Sequence, residues 1–200
     1  VAKTPEMTKL GETLRALVDA IAIEQPLALV GGLAVSARTE PRFTRDLDFA
    51  IAVEDDAEAE ALIFALQARG FMVVATIEHS TTHRLATVRL RQTPGAPFVD
   101  LLFASCGVER EIVAAAAPLE ILGVTVPVAT VGHLIAMKLV SRDAKRRPRD
   151  QQDLVALAGV ADALEWRRAE AAIELIQQRG FSRGRDLRAG LDELRSLGDA

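Results

Sequence analysis

Between Asp46 and Val53 the chain alternates strictly in polarity. Asp46, Asp48, Ala50 and Ala52 fall at one parity, and Leu47, Phe49, Ile51 and Val53 at the other. A period of two marks a strand with one buried face, because successive side chains leave a pleated strand on opposite sides. The pattern requires a sheet with an apolar inner face, and it sets both aspartates side by side on the outer one. Carboxylates at that spacing repel, so the pair needs a cation nearby. Arg42 or Arg45 can supply it, solvent can disperse it, or the two acids can share a divalent metal ion.

The flanking segments sort into the same scheme. Residues 8–24 carry Leu10, Leu14, Leu17, Val18, Ile21 and Ala22 at helical spacing, and Pro26 closes that helix. Leu27 to Val30 reads as a short buried strand, Gly31-Gly32 as a turn, and Leu33 to Arg38 as a short helix ending before Pro41. Strand, glycine turn and helix is the arrangement in which backbone amides meet phosphate, although a glycine pair also makes a plain tight turn. A second amphipathic helix over residues 55–69 stops at Gly70, and strands follow at Phe71 to Thr76, His83 to Arg91 and Phe98 to Ala104. Leu119 to Val128 reads as a hairpin about Gly123, and Thr130 as the cap of a helix running to about Ser141. Helices near 149–159, 162–179 and 185–197 complete the chain. The expected architecture is α/β (α+β). A core over residues 1–105 holds a short mixed sheet flanked by helices, and a mainly helical region over 106–200 closes against it.

Composition narrows the function classes. The longest apolar or glycine run, Leu27 to Val35, falls far short of the roughly 20 residues a membrane helix needs. The N-terminal residues have no signal-peptide core, and a single cysteine, Cys106, excludes an internal disulfide and a multi-cysteine zinc site. Cytoplasm is the expected compartment. The net charge of −4 argues against indiscriminate nucleic-acid coating, yet Lys138 to Arg149 contains six Lys/Arg against one acid, Asp143. No P-loop, Gly-x-Gly-x-x-Gly or nucleophile elbow is present. His79, His83 and His133 show no ligand spacing and read as surface or turn residues.

Three further features carry chemistry. Asp100 sits inside Phe98-Val99-Asp100-Leu101-Leu102-Phe103, on the face opposite Val99, Leu101 and Phe103, and calls for a metal or a cation such as Arg89. Lys138 is the one charge in the run Leu134 to Val140, so it either snorkels or meets an anion, with Arg142 a helical turn away. Asp150 and Asp153 lie in the first turn of a helix behind Pro148, where acids also serve simply to complement the helix dipole.

Taken in order, these residues resemble the nucleotidyltransferase superfamily, and more narrowly the AbiEii/AbiGii toxins of type IV toxin–antitoxin systems. The resemblance rests on Leu29-Val30-Gly31-Gly32, the segment Arg42 to Phe49, Val99-Asp100-Leu101, Val126-Pro127-Val128, His133 to Leu139 and Arg149 to Leu154. It implies a nucleotidyltransferase fold and transfer of NMP from an NTP to an acceptor hydroxyl, dependent on Mg²⁺ or Mn²⁺. By carry-over Gly31 and Gly32 hold the triphosphate, Asp46, Asp48 and Asp100 bind metal, Lys138 grips phosphate with Arg142 beside it, and Asp150 or Asp153 completes the site. The toxin branch implies a tRNA acceptor and a cognate antitoxin. A protein or aminoglycoside acceptor is the alternative, and a nucleotide-binding regulatory module without turnover is a reading of another class.

Overall fold

The computed structural model describes residues 5–21, 25–42, 44–141 and 148–198. Its centre is a seven-stranded mixed sheet built from β1 (Leu27–Val30), β2 (Leu47–Ile51), β3 (Met72–Glu78), β4 (Leu85–Arg91), β5 (Val99–Leu102), β6 (Ala117–Ile121) and β7 (Val124–Val128). The order across the sheet is β3-β4-β5-β2-β1-β7-β6. β2 pairs antiparallel with β1 and parallel with β5, so it lies in the middle, where an all-apolar inner parity is needed. Leu47, Phe49 and Ile51 are fully buried there, and each such side chain stabilises the fold by about 1.5–3 kcal/mol.

Helices pack against the central strands or one another: α1 (Pro5–Ile21), α2 (Gly31–Arg38), α3 (Asp56–Ala68), α4 (Glu109–Ala115), α5 (Val131–Ser141), α6 (Pro148–Val160), α7 (Ala163–Gln178) and α8 (Leu187–Gly198), while β3 at the sheet edge stays exposed. α1 buries Leu10, Leu14, Leu17 and Ile21, one stripe of a 3.6-residue period, against β7 and α3. Asp55 caps α3 by accepting from the Glu58 amide, and Glu58 reaches back to the Glu54 amide, satisfying donors that a helix start leaves open. Asp162 does the same for α7 through the amides of Leu164 and Glu165. α5 packs on α7 so closely that a side chain at Gly132 would run into the Glu165 carbonyl. Among the described residues no helix is long and apolar enough to cross a membrane.

Most expected elements are present, with three differences. α2 begins at Gly31 itself, so the glycine pair is the first turn of the helix rather than a loop before it. α4 has no counterpart in the sequence reading; it is anchored by buried Glu109, whose Oε1 accepts the amides of Ser105 and Cys106, both at 2.7 Å. The sheet also continues past residue 105 into the region expected to be mainly helical, because β7 pairs with β1 and carries β6 with it.

Candidate active site

The sheet register aligns Val30, Asp48, Asp100 and Arg89 in one row across four adjacent strands. Gly31 follows Val30 directly and starts α2 with φ +65, a conformation that favours glycine. A Cβ there would lie 2.5 Å from Asp48 Cγ and closer still to Oδ2. The glycine is what lets the start of α2 sit on the carboxylate. No side chain caps this helix end, so its first-turn amides remain available to an anion. Gly32 is nearly as crowded, with Arg42 Nη2 at 3.0 Å and Thr44 Oγ1 at 3.1 Å from a would-be Cβ.

Asp48 keeps some surface toward the adjoining cleft while its carboxylate is enclosed by protein, and its pKa is pushed up to about 6. Burial is the main cause, followed by the charges of Asp100 and Asp46; Lys138 and Arg89 only partly offset them. Asp46 is raised as well, again chiefly by burial, with Arg89 and Asp100 acting in opposite senses. Asp100 is buried and accepts a two-pronged bond from Arg89, at 2.7 Å to Oδ1 and 2.6 Å to Oδ2, which drives the Arg89 pKa upward. Arg89, one of the partners open to Asp100, is thus in direct contact with it.

Lys138 neither snorkels nor stands free. Its Nζ lies 2.6 Å from Asp150 Oδ1 and 2.8 Å from Asp153 Oδ2, with 14 % of its side chain exposed. Arg42 closes the group from 111 residues away, donating to Asp153 Oδ1 at 2.8 Å and Oδ2 at 2.7 Å. Two cations thus balance two buried acids, although Asp150 Oδ2 has no partner. The two aspartates do not border the cleft and are not surface caps of α6. Arg142 lies outside the described residues, as does Phe43.

A cleft of about 810 Å³ joins these parts, lined by Gly31, Gly32, Asp48, Asp100, Arg89 and Lys138 at one end. That volume accommodates a small-molecule ligand with space beyond it. Asp46 instead borders a smaller depression of about 260 Å³ beside Thr44, Arg45 and Phe98. Hard carboxylate oxygens whose mutual repulsion is only partly offset are the donors a divalent cation takes, so Asp46 and Asp48 fit such an ion in chemistry. They are not a ready-made cage, since among the described residues no three acids, histidines or cysteines cluster tightly enough to hold a metal.

A nucleotidyl transferase family model, that of the AbiEii toxin of type IV toxin–antitoxin systems, matches residues 13–199. The chain belongs to this family. The AbiEii model covers both the strand-borne carboxylates and the helices behind Lys138, and the chain is a nucleotidyltransferase. Among solved structures, an antigenic nucleotidyltransferase-like protein from Paracoccidioides brasiliensis shares the fold, with TM-score 0.52, 19% identity, and 94% of this chain and 93% of that one covered. A nucleotidyltransferase described from H. pylori has TM-score 0.49 and 17% identity over 99% and 95%. A nucleotidyltransferase toxin from Mycobacterium tuberculosis has TM-score 0.35 and 14% identity over 96% and 93%. No curated protein sequence matches the chain.

Sequence reasoning missed Arg42 as a partner of Asp153, having paired it with Asp46 or Asp48; nothing local signals a contact made across the fold. It read His79 and His133 as surface or turn residues; His79 does open the turn before β4, with its carbonyl accepting from the His83 amide, whereas His133 lies within α5. Both are buried, His79 stacked on Phe181 at 4.3 Å and His133 bonded through Nδ1 to Thr130 Oγ1 at 3.0 Å. Burial lowers both pKa values, so neither reads as a surface charge.

Proposed function

We propose that the cleft binds an NTP and transfers its NMP to a hydroxyl of an RNA acceptor, with tRNA as the substrate of a toxin-type enzyme working in the cytoplasm. The observation that carries this reading is the contact of the Gly31 end of α2 with Asp48: phosphate-binding amides and a cation-seeking carboxylate share one point of the cleft. In this reading Gly31 and Gly32 hold triphosphate oxygens, Asp46 and Asp48 hold Mg²⁺ or Mn²⁺, and Asp100 keeps Arg89 against the row. When bound, the ion neutralises phosphate charge and favours the attacking alkoxide. Lys138 steadies the phosphates, while Asp150 and Asp153, with Arg42, fix its position rather than meeting substrate. The acceptor oxygen bonds to the α-phosphorus and the bond to the bridging oxygen breaks. Pyrophosphate leaves, and the hydroxyl proton passes to a carboxylate of the row or to solvent.

A toxin of this family implies a cognate antitoxin as its partner. The test offers each of the four NTPs, labelled, with Mg²⁺ and with total tRNA, total protein or an aminoglycoside. Label in tRNA is expected. Label confined to protein or drug moves the acceptor to the alternative class, and NTP binding without any labelled product favours a regulatory module.

A further inference from the structure

The cleft extends well beyond the carboxylate row. Arg89 pairs with Asp100 and Thr87 with Leu102, and Phe103 then bonds the Ala86 carbonyl, so successive steps along β4 and β5 lead away from Asp48. At about 3.3 Å per residue, Ser105 and the β3–β4 connection lie on the order of 10–15 Å from the row. There the lining is Ser80, Thr81, Ser105, Ser182, Arg183 and Gly184.

Arg183 stands apart from the other cations of this lining. Arg89 is neutralised by Asp100, and Lys138 by Asp150 and Asp153. Among the described residues Arg183 has no carboxylate partner; its Nη2 donates only to the Ser105 carbonyl, at 3.1 Å. Glu78 also lines the cleft without bonding Arg183, and nearby Glu109 is engaged by backbone amides. Arg183 adopts φ +54, a costly conformation for a residue other than glycine. The turn that imposes it is pinned: Phe181 packs under His79 and against Gly107, where a Cβ would lie 2.5 Å from the ring, and Arg179 Nη2 bonds Glu111 Oε1 at 2.7 Å. A guanidinium held open in a cleft by a rigid turn is a receptor for an anion.

We infer that this end of the cleft is an acceptor-side phosphate subsite, in which Arg183, flanked by the hydroxyls of Ser80, Thr81 and Ser182, takes a backbone phosphate of an RNA whose terminal hydroxyl lies at the Asp48 row. The inference rests on the nucleotidyltransferase reading above. The triphosphate itself belongs at the Gly31 end, where its α-phosphorus meets the carboxylates, and a polycationic aminoglycoside would be repelled by Arg183. An oligonucleotide end has both the charge and the reach.

Steady-state kinetics of the full chain test this, with Mg²⁺, the NTP that labels best and total tRNA as acceptor probe. Arg183→Ala and Arg183→Gly are compared; the glycine variant suits the positive φ and keeps the turn intact. Both should raise the KM for tRNA roughly tenfold or more, leave the KM for NTP within about twofold, and reduce the salt slope of tRNA binding by about one. Arg183→Lys should recover part of the loss, since it restores charge without the fork. A raised KM for NTP with unchanged KM for tRNA overturns the subsite, as does wild-type label appearing in protein or aminoglycoside instead of RNA. Failure of the underlying reading is distinguishable: the wild type would then bind NTP and label no acceptor at all.

Discussion

At the scale of single residues, the site is a place where the fold accepts instability. Asp48 has an ordinary pKa of 3.8 and one of about 6 in the fold, so its ionised form is disfavoured there. The sign follows directly: its contribution to stability is full below pH 3.8, is lost as pH rises through about 6, and stays lost above. Asp48→Asn should therefore stabilise the ion-free protein at pH 7 by about 1–3 kcal/mol in urea denaturation, and should flatten the fall in stability between pH 4 and 6. Mg²⁺ should raise the Tm of the wild type and not of this variant. Gly31→Ala should act in the opposite direction. It meets both a positive φ and the Asp48 side chain, so a loss of about 2–4 kcal/mol is expected from strain and overlap, read from the same denaturation curves.

At the scale of elements, the Lys138 cluster ties α5, α6 and the segment after α2 into one unit. Removing a single partner strands the others: Lys138→Met leaves Asp150 and Asp153 with one cation between them, and should cost about 2–4 kcal/mol. Adding Asp150→Asn should restore part of that loss, so a double-mutant cycle is expected to give a coupling of at least about 1 kcal/mol. How much of this was legible in the sequence depended on range. The alternation from Asp46 to Val53 revealed β2 and its buried face because a period of two depends only on neighbours. Asp100 was recognisable as needing a partner from its apolar surroundings, and Arg89 was a candidate because a hairpin would bring it close. Asp153 with Arg42 was not legible, since 111 residues separate them and only the packing of α6 against α2 joins them. α4 escaped because seven residues are too few for a helical period to stand out, and its anchor, Glu109, reads as an ordinary surface acid.

At the scale of the whole molecule, the sheet makes the chain one cooperative body. β1 bridges β2 on one side and β7 on the other, and α5 packs on α2, α6, α7 and α8 at once. Thermal unfolding is expected as a single transition whose calorimetric and van't Hoff enthalpies agree, and two resolved transitions would show separate folding units. The same integration explains how residues from β1, α2, β2, β4, β5 and α5 meet at one end of a cleft whose other end is lined by the turn between α7 and α8. The central claim is that Asp46 and Asp48 hold the ion needed for nucleotidyl transfer, and it is tested most directly by Mg²⁺-dependent transfer of label from NTP to total tRNA by wild type, Asp46→Asn and Asp48→Asn. Transfer by the wild type that stops on chelation, with a loss of at least about 100-fold in both folded variants, is the expected result. Wild-type rates in either variant, or transfer that survives removal of the ion, would contradict it.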